Sequence, residues 1–222
     1  MVIIMIKNKL FTTIICVCLI LFTITFSIAL PIFVRPFYYA HIDAYNLEAV
    51  TGKSREQIIT AYDQVLDYLT MPDKEFGAGD FAYSEEGKSH FEDCKGLFTL
   101  NNSVLIISVI LIVLLLILKR KGVFDFSRPF GKHFTFLSGA LTLFIFALIG
   151  GLCAIDFNKA FVIFHKLFFY GKDNWIFDYR TDEIIAALPQ QFFLNCGILI
   201  VSSIIVISII FIIYGIFSKK KN

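Results

Sequence analysis

Charge is scarce in this 222-residue chain: 17% of its residues are Asp, Glu, Lys or Arg, while 57% are hydrophobic and the mean hydropathy is +0.75. Soluble domains carry about 25% charged residues, so an ordinary soluble globular protein is excluded. The chain has only four histidines, and its five cysteines form no Cys-x-x-Cys pair. A transition-metal centre therefore has no ligand set, since His90 with Asp93 or Glu86 offers weak binding at best. Cys16, Cys18, Cys153 and Cys196 lie in apolar runs as small fillers, and Cys94 stands alone, so no disulfide framework is expected. A Gly-rich phosphate loop, a Gly-x-Ser-x-Gly elbow and a His-Glu-x-x-His helix are all missing. The basic tracts are too short for a nucleic-acid footprint.

What is present is apolar length. Four runs without a charged side chain, near Leu10–Val34, Leu97–Leu118, Phe134–Ile155 and Phe192–Phe217, each reach the roughly 20 residues that cross a bilayer. They divide the chain into spans at 1–34, 97–118, 134–155 and 192–217. Connections fall at 35–96, 119–133 and 156–191, with a tail at 218–222. Ten basic side chains and one acid, Asp125, flank the ends on one side: Lys7, Lys9, Lys119, Arg120, Lys121, Arg128, Lys132 and Lys219 to Lys221. The first connection instead holds six basic and twelve acidic residues. The positive-inside rule puts both termini and the 119–133 loop in the cytoplasm, and the 35–96 and 156–191 connections outside. The expected fold is a membrane all-α protein of four transmembrane helices, with a small extracellular cap built from the first and third connections. Ser27-Ile28-Ala29 resembles a signal cleavage site, but the apolar run before it exceeds the roughly 7–15 residues of a signal core. A retained span is the favoured reading.

In the first connection, Pro31 and Pro36 close the first span beside Phe37, Tyr38 and Tyr39. His41 follows and reads better as a hydrogen-bonded interfacial residue than as a third site histidine. Ser54-Arg-Glu-Gln57 is a capping box, and its helix puts Ile58, Tyr62, Val65, Leu66 and Leu69 on one face before Pro72 ends it. Asp73 to Tyr83 is loop-like around Gly77 and Gly79, and the alternation over Phe76–Tyr83 permits a hairpin. Ser84 then caps a helix with Glu85 and Glu86 in its first turn, carrying His90, Asp93 and Cys94 toward the second span.

The third connection concentrates aromatic side chains around one histidine. Phe157 to Phe193 holds eight Phe, two Tyr, Trp175 and His165. A helix there sets Phe157, Phe161, His165 and Phe169 on one stripe, with Phe164 and Phe168 alongside. Trp175 reads equally as an interfacial belt residue or as part of a site, and Asp173, Asp178, Asp182 and Glu183 as solvated acids. Imidazole titrates near neutrality, so two outer histidines in aromatic company suit acyl transfer. Desolvation should keep His165 neutral, and Glu86 and Asp93 should favour a charged His90. That makes His165 the base and His90 the acid or oxyanion stabiliser, an assignment that can be exchanged. The alternative from another class is a non-enzymatic four-span membrane adaptor or envelope sensor.

These stretches resemble the lipoprotein intramolecular transacylase (Lit) family of bacterial integral membrane proteins. The likeness is carried by Phe81-Ala-Tyr-Ser84-Glu85 with His90, Asp93, Lys95, Leu97 and Phe98. It continues in Phe161, Phe164-His165, Phe168-Phe169, Trp175, Asp182, Ile184-Ile185, Leu188-Pro189 and Phe192-Phe193. The resemblance implies a transacylase that moves the sn-2 acyl chain of a diacylglyceryl-cysteine to that cysteine's α-amino group, giving a lyso-form N-acyl lipoprotein. It implies His90 and His165 as the catalytic pair, and Phe161, Phe164, Phe168, Phe169, Trp175 and Asp93 as substrate-binding residues. Cys94 stands where the family usually has an apolar residue, so it is not read as a nucleophile. No metal or cofactor is expected. The partners implied are a diacylated bacterial lipoprotein and membrane lipid, around a monomer in the cell membrane.

Overall fold

The computed structural model describes residues 2–218, so the expected contribution of Lys219, Lys220 and Lys221 to topology lies outside the described residues. Its eight α-helices among those residues are α1 (Val2–Phe33), α2 (Arg35–Ala44), α3 (Leu47–Thr51), α4 (Arg55–Thr70), α5 (Glu85–Arg120), α6 (Phe134–Ile155), α7 (Phe157–Phe168) and α8 (Gln190–Phe217). Short 3₁₀ turns occur at Pro129–Gly131 and Glu183–Ala187. No strand forms among the described residues, and Phe76–Tyr83 is loop without a hairpin. Four helices, α1, α5, α6 and α8, are long and apolar enough to cross a membrane. α5 has 36 residues, about 54 Å at 1.5 Å per residue against a hydrocarbon core of about 30 Å. Its charge-bearing turns Glu85–Gly96, with His90, therefore lie outside its apolar stretch Leu97–Leu118.

The chain divides into two compact units. One takes in the residues through Ile28, Asn102–Leu152 and from Ile200 on. Ile15 and Leu19 of α1 pack there with Leu115 of α5, Phe124 and Phe134. Where lipid surrounds a helix, burial from water adds little to association, and close backbone approach takes over. Gly139 of α6 shows this, because a Cβ there would sit 2.5 Å from the Ser208 carbonyl oxygen of α8. Two buried hydroxyls in this unit bond within their own helices: Thr23 donates to Leu19 O at 2.8 Å and Thr142 to Ser138 O at 2.8 Å. Lys7 Nζ reaches the Val123 carbonyl at 2.8 Å, closing the loop after α5.

The other unit holds Ala29–Asn101 and Cys153–Leu199. Its core is the apolar face of α4, where Ile58, Ala61, Tyr62, Val65, Leu66 and Leu69 are buried among Tyr38, Ile42, Leu47, Ile184 and Phe192. Each large aliphatic side chain so buried contributes about 1.5–3 kcal/mol. The capping box forms: Ser54 Oγ accepts from Gln57 N at 3.3 Å and Gln57 Oε1 from Ser54 N at 2.8 Å. Tyr38 stacks on Tyr62 with centroids 3.6 Å apart and donates to Ala187 O at 2.8 Å. His41 donates through Nδ1 to Phe37 O at 2.6 Å, and Asn195 donates to its Nε2 at 2.9 Å. Both nitrogens are thus spent on structure.

Candidate active site

Asp182 fixes the third connection to the start of α5. Ser84 caps α5 by accepting from Gly87 N at 2.9 Å, and Asp182 Oδ1 accepts from both Ser84 N and Ser84 Oγ at 2.8 Å. A Cβ on Gly87 would lie 2.2 Å from Asp182 Oδ1, so the approach requires glycine. Glu183 adds a two-way contact with Ala82, its backbone N–H donating to Ala82 O at 3.0 Å and its carboxylate accepting from Ala82 N at 3.1 Å. Asp182 and Glu183 are therefore not the solvated acids expected; Asp182 is buried.

α7 is set in place independently. Asp156 caps it by accepting from Lys159 N at 3.0 Å, and the helix carries the expected stripe. Phe161 lies 4.2 Å from the His165 ring and Phe169 5.6 Å from it, with Trp175 stacked on it at 4.8 Å and 30°. Trp175 donates its indole N–H to Lys172 O at 3.1 Å, so its ring belongs to this wall and not to a detached belt. Opposite, His90 lies 5.9 Å from His165, centroid to centroid, with the rings inclined by 29°. Phe169 meets His90 at 4.7 Å and Phe177 at 5.4 Å. His90 is 6% and His165 8% exposed.

The protonation states follow from these surroundings. His165 Nδ1 is 2.7 Å from Phe161 O, an obligate acceptor, so Nδ1 carries the proton and Nε2 the lone pair. Burial lowers the pKa of His165 and keeps it a neutral base, with the Phe161 carbonyl opposing the shift. His90 does not behave as expected. Burial, and after it the neighbouring His165, lower it to about 4 despite Asp93. The expected charged acid is a neutral imidazole, because burial outweighs Asp93, whose carboxylate is engaged by Lys172 and Asn174.

Asp93 Oδ1 receives Lys172 Nζ at 2.5 Å and Oδ2 receives Asn174 Nδ2 at 3.0 Å. Burial alone would raise the Asp93 carboxyl, but these donors outweigh it and hold the group ionised. Cys94 Sγ lies 3.5 Å from His90 Nε2, and burial pushes its thiol up to about 12, far from a nucleophile's range.

His90, His165, Phe161, Phe169, Trp175 and Asp93 thus converge. Phe164 joins them at the edge, its ring T-shaped against His165 at 5.4 Å, while Phe168 is half-exposed and lies tilted against Phe164 at 4.7 Å. Sequence reasoning missed Phe177, Lys172 and Asn174. Their only signal was proximity to Trp175 in the chain, which does not say which way an irregular segment turns. Among the described residues, no three His, Cys, Asp or Glu side chains converge as metal ligands.

The family model of the lipoprotein intramolecular transacylase Lit matches residues 13–193. No curated protein matches. The chain is similar to the in meso structure of the membrane integral lipoprotein intramolecular transacylase Lit from Bacillus cereus, at 25% identity and TM-score 0.83, covering 92% of each chain. Two variants of that protein with one histidine substituted also match. The histidine-to-arginine form has 23% identity and TM-score 0.78 over 95% of this chain and 91% of that one. The histidine-to-alanine form has 24% identity and TM-score 0.77 over 95% and 94%. With the family model spanning most of its length and four helices long and apolar enough to cross a membrane, the chain belongs to the Lit family of membrane-integral lipoprotein intramolecular transacylases.

Proposed function

We propose that the protein transfers the sn-2 acyl chain of a diacylglyceryl-cysteine lipoprotein to that cysteine's own α-amino group, with His90 and His165 as the working pair. The observation that carries this reading is the meeting of two neutral imidazoles, 5.9 Å apart, inside an aromatic enclosure. The substrate's ammonium loses two protons on becoming an amide. One leaves with the solvent and the other ends on the glyceryl oxygen. His165 Nε2 takes the proton of the attacking amine as nitrogen bonds to the ester carbon. It returns that proton to the glyceryl oxygen as the carbon–oxygen bond breaks. His90 accepts a hydrogen bond from the amine and orients it, displacing the weak thiol contact of Cys94.

Amine, ester and the atoms between them close a ring of about eight members, so positioning supplies much of the rate; well-oriented intramolecular reactions gain about 7–11 kcal/mol. The walls of Phe161, Phe169, Phe177 and Trp175 keep out water that would hydrolyse the ester. Ile163, Phe164, Leu167 and Phe168 form an exposed apolar face on α7 suited to the acyl tails in the outer leaflet. In this reading residues 35–96 and 156–191 form the extracellular cap, both termini are cytoplasmic, and the protein works as a monomer.

The test is mass spectrometry of a diacylated lipopeptide incubated with the protein in lipid, wild type and His165→Ala. A product of unchanged mass with one chain moved to nitrogen, absent with the variant, is expected. Loss of an acyl mass would mean hydrolysis and overturn the reading.

A further inference from the structure

Two buried polar atoms at this site are left without a hydrogen bond among the described residues: His90 Nδ1 and Asn174 Oδ1. Buried groups of this kind are normally paired, and an unmet one commonly marks a working part. One can donate and the other can only accept, and the two side chains are close enough to interact. The Asn174 carboxamide is not free to turn over. Its Nδ2 donates to Asp93 Oδ2 at 3.0 Å and reaches Ser89 Oγ at 3.5 Å, and a carboxylate held by Lys172 accepts only donors. With Nδ2 committed to Asp93, the oxygen is the end left to accept from a neighbouring donor.

We propose that Asn174 is a positioning residue that sets the tautomer of His90, its carboxamide oxygen taking the Nδ1 proton so that Nε2 keeps the lone pair. Lys172 and Asp93 hold the carboxamide in that sense, in the order Lys172, Asp93, Asn174, His90. The inference rests on the reading of His90 as the residue that orients the amine. It assigns a purpose to an ion pair that would otherwise be a surface contact of little value. Without the carboxamide oxygen, the proton is free to move to Nε2, where it faces the amine as a second donor and blocks the hydrogen bond the reaction needs. The other charged or titratable groups facing His90 are Asp93 and Cys94 on α5, His165 on α7 and Lys172 in the connection.

The tautomer can be read without catalysis. ¹⁵N spectra of the full-length protein with labelled histidine, assigned by a His90→Gln variant, should show Nδ1 protonated and Nε2 bare at His90. A resting protein with the proton on Nε2 overturns the proposal, whatever the activity data say. Asn174→Leu, similar in size, should shift that signal toward Nε2–H and lower kcat on the order of ten- to a hundredfold, with KM little changed. The exchange of Asp93→Asn together with Asn174→Asp keeps a donor–acceptor pair between the two positions and an oxygen toward His90, and brings the charge beside it. It should retain the wild-type tautomer while moving the acid limb of the rate profile to higher pH, because a carboxylate beside His90 favours its protonated form. Unchanged ¹⁵N signals and pH profiles in both variants would sink the idea. If His90→Ala instead retains full transacylation, the reading of His90 fails on its own, and the ¹⁵N result still decides whether Asn174 sets its tautomer.

Discussion

Acidification should destabilise this protein partly through His90, and the size of the effect follows from its enclosure. The imidazole is held at a pKa of about 4 against an ordinary 6.5, chiefly by burial and then by the charge that His165 would carry. Above pH 6.5 the group is neutral in both folded and unfolded chains and contributes no pH dependence. Between 6.5 and 4 the unfolded chain takes up a proton that the folded one refuses, so stability falls as pH falls. Below 4 both states are protonated and the loss is complete. A separation of roughly 2.5 units, at 1.36 kcal/mol per unit, makes that loss about 3 kcal/mol. Replacing His90 with Gln removes this part of the acid response. Equilibrium unfolding in mixed micelles at pH 7 and pH 4 should then show an acid-induced loss smaller by about 3 kcal/mol in the variant than in the wild type. His165→Phe keeps the ring while deleting the repulsive neighbour, so His90 should titrate at higher pH in that background. Equal acid losses in wild type and His90→Gln would refute the claim that His90 is held neutral.

Three further outcomes can be checked on purified protein. Asp182→Ala leaves the half-buried Ser84 N–H and hydroxyl without their buried acceptor and should lower stability by about 1–3 kcal/mol, read as a drop in thermal midpoint. Gly139→Leu forces a side chain against the Ser208 carbonyl and should cost about 1–3 kcal/mol in the same measurement. Phe168→Ser changes a half-exposed side chain, so the midpoint should move by no more than about 0.5 kcal/mol. In vesicles, however, the KM for a diacylated lipopeptide should rise while kcat holds.

The four spans were legible because membrane insertion is decided by apolar length, which the sequence displays directly. α6 runs from Phe134 to Ile155, the expected bounds, and the Ser54 capping box formed where its spacing placed it. The stripe of Phe157, Phe161, His165 and Phe169 was equally readable, since it needs only helical periodicity. Family membership then decides between the enzyme and the four-span adaptor, which residue patterns alone left open. Two things were not legible. One is the inward turn of residues 169–182, an irregular segment held by Asp182 on Ser84 and by Lys172 and Asn174 on Asp93 across about eighty to a hundred residues of sequence. No local pattern encodes such pairings. The other is the charge of His90. Helical spacing correctly put Glu86 and Asp93 one turn away, but spacing does not reveal that Asp93 is already occupied or that Phe169 and Phe177 close over the ring.

That misjudged charge bears on how the pair can work. Two imidazoles this close and this dry resist holding two protons together, because each protonated ring disfavours the other. In the proposed reaction this is an advantage. A pair with one member permanently charged would repel the substrate's ammonium, whose pKa of about 8 leaves it protonated at neutral pH. A neutral pair admits it and can accept one proton. Holding no more than one, it has a ready outlet in the glyceryl oxygen as the ester bond opens. The aromatic wall that lowers both pKa values is the same wall that excludes water. Desolvation of the histidines and protection of the ester are therefore one structural feature. A substitution that wets the site, such as Trp175→Ala, should raise the histidine pKa values and the hydrolysis side reaction together. Hydrolysis rising with no change in histidine titration would separate the two and count against this coupling.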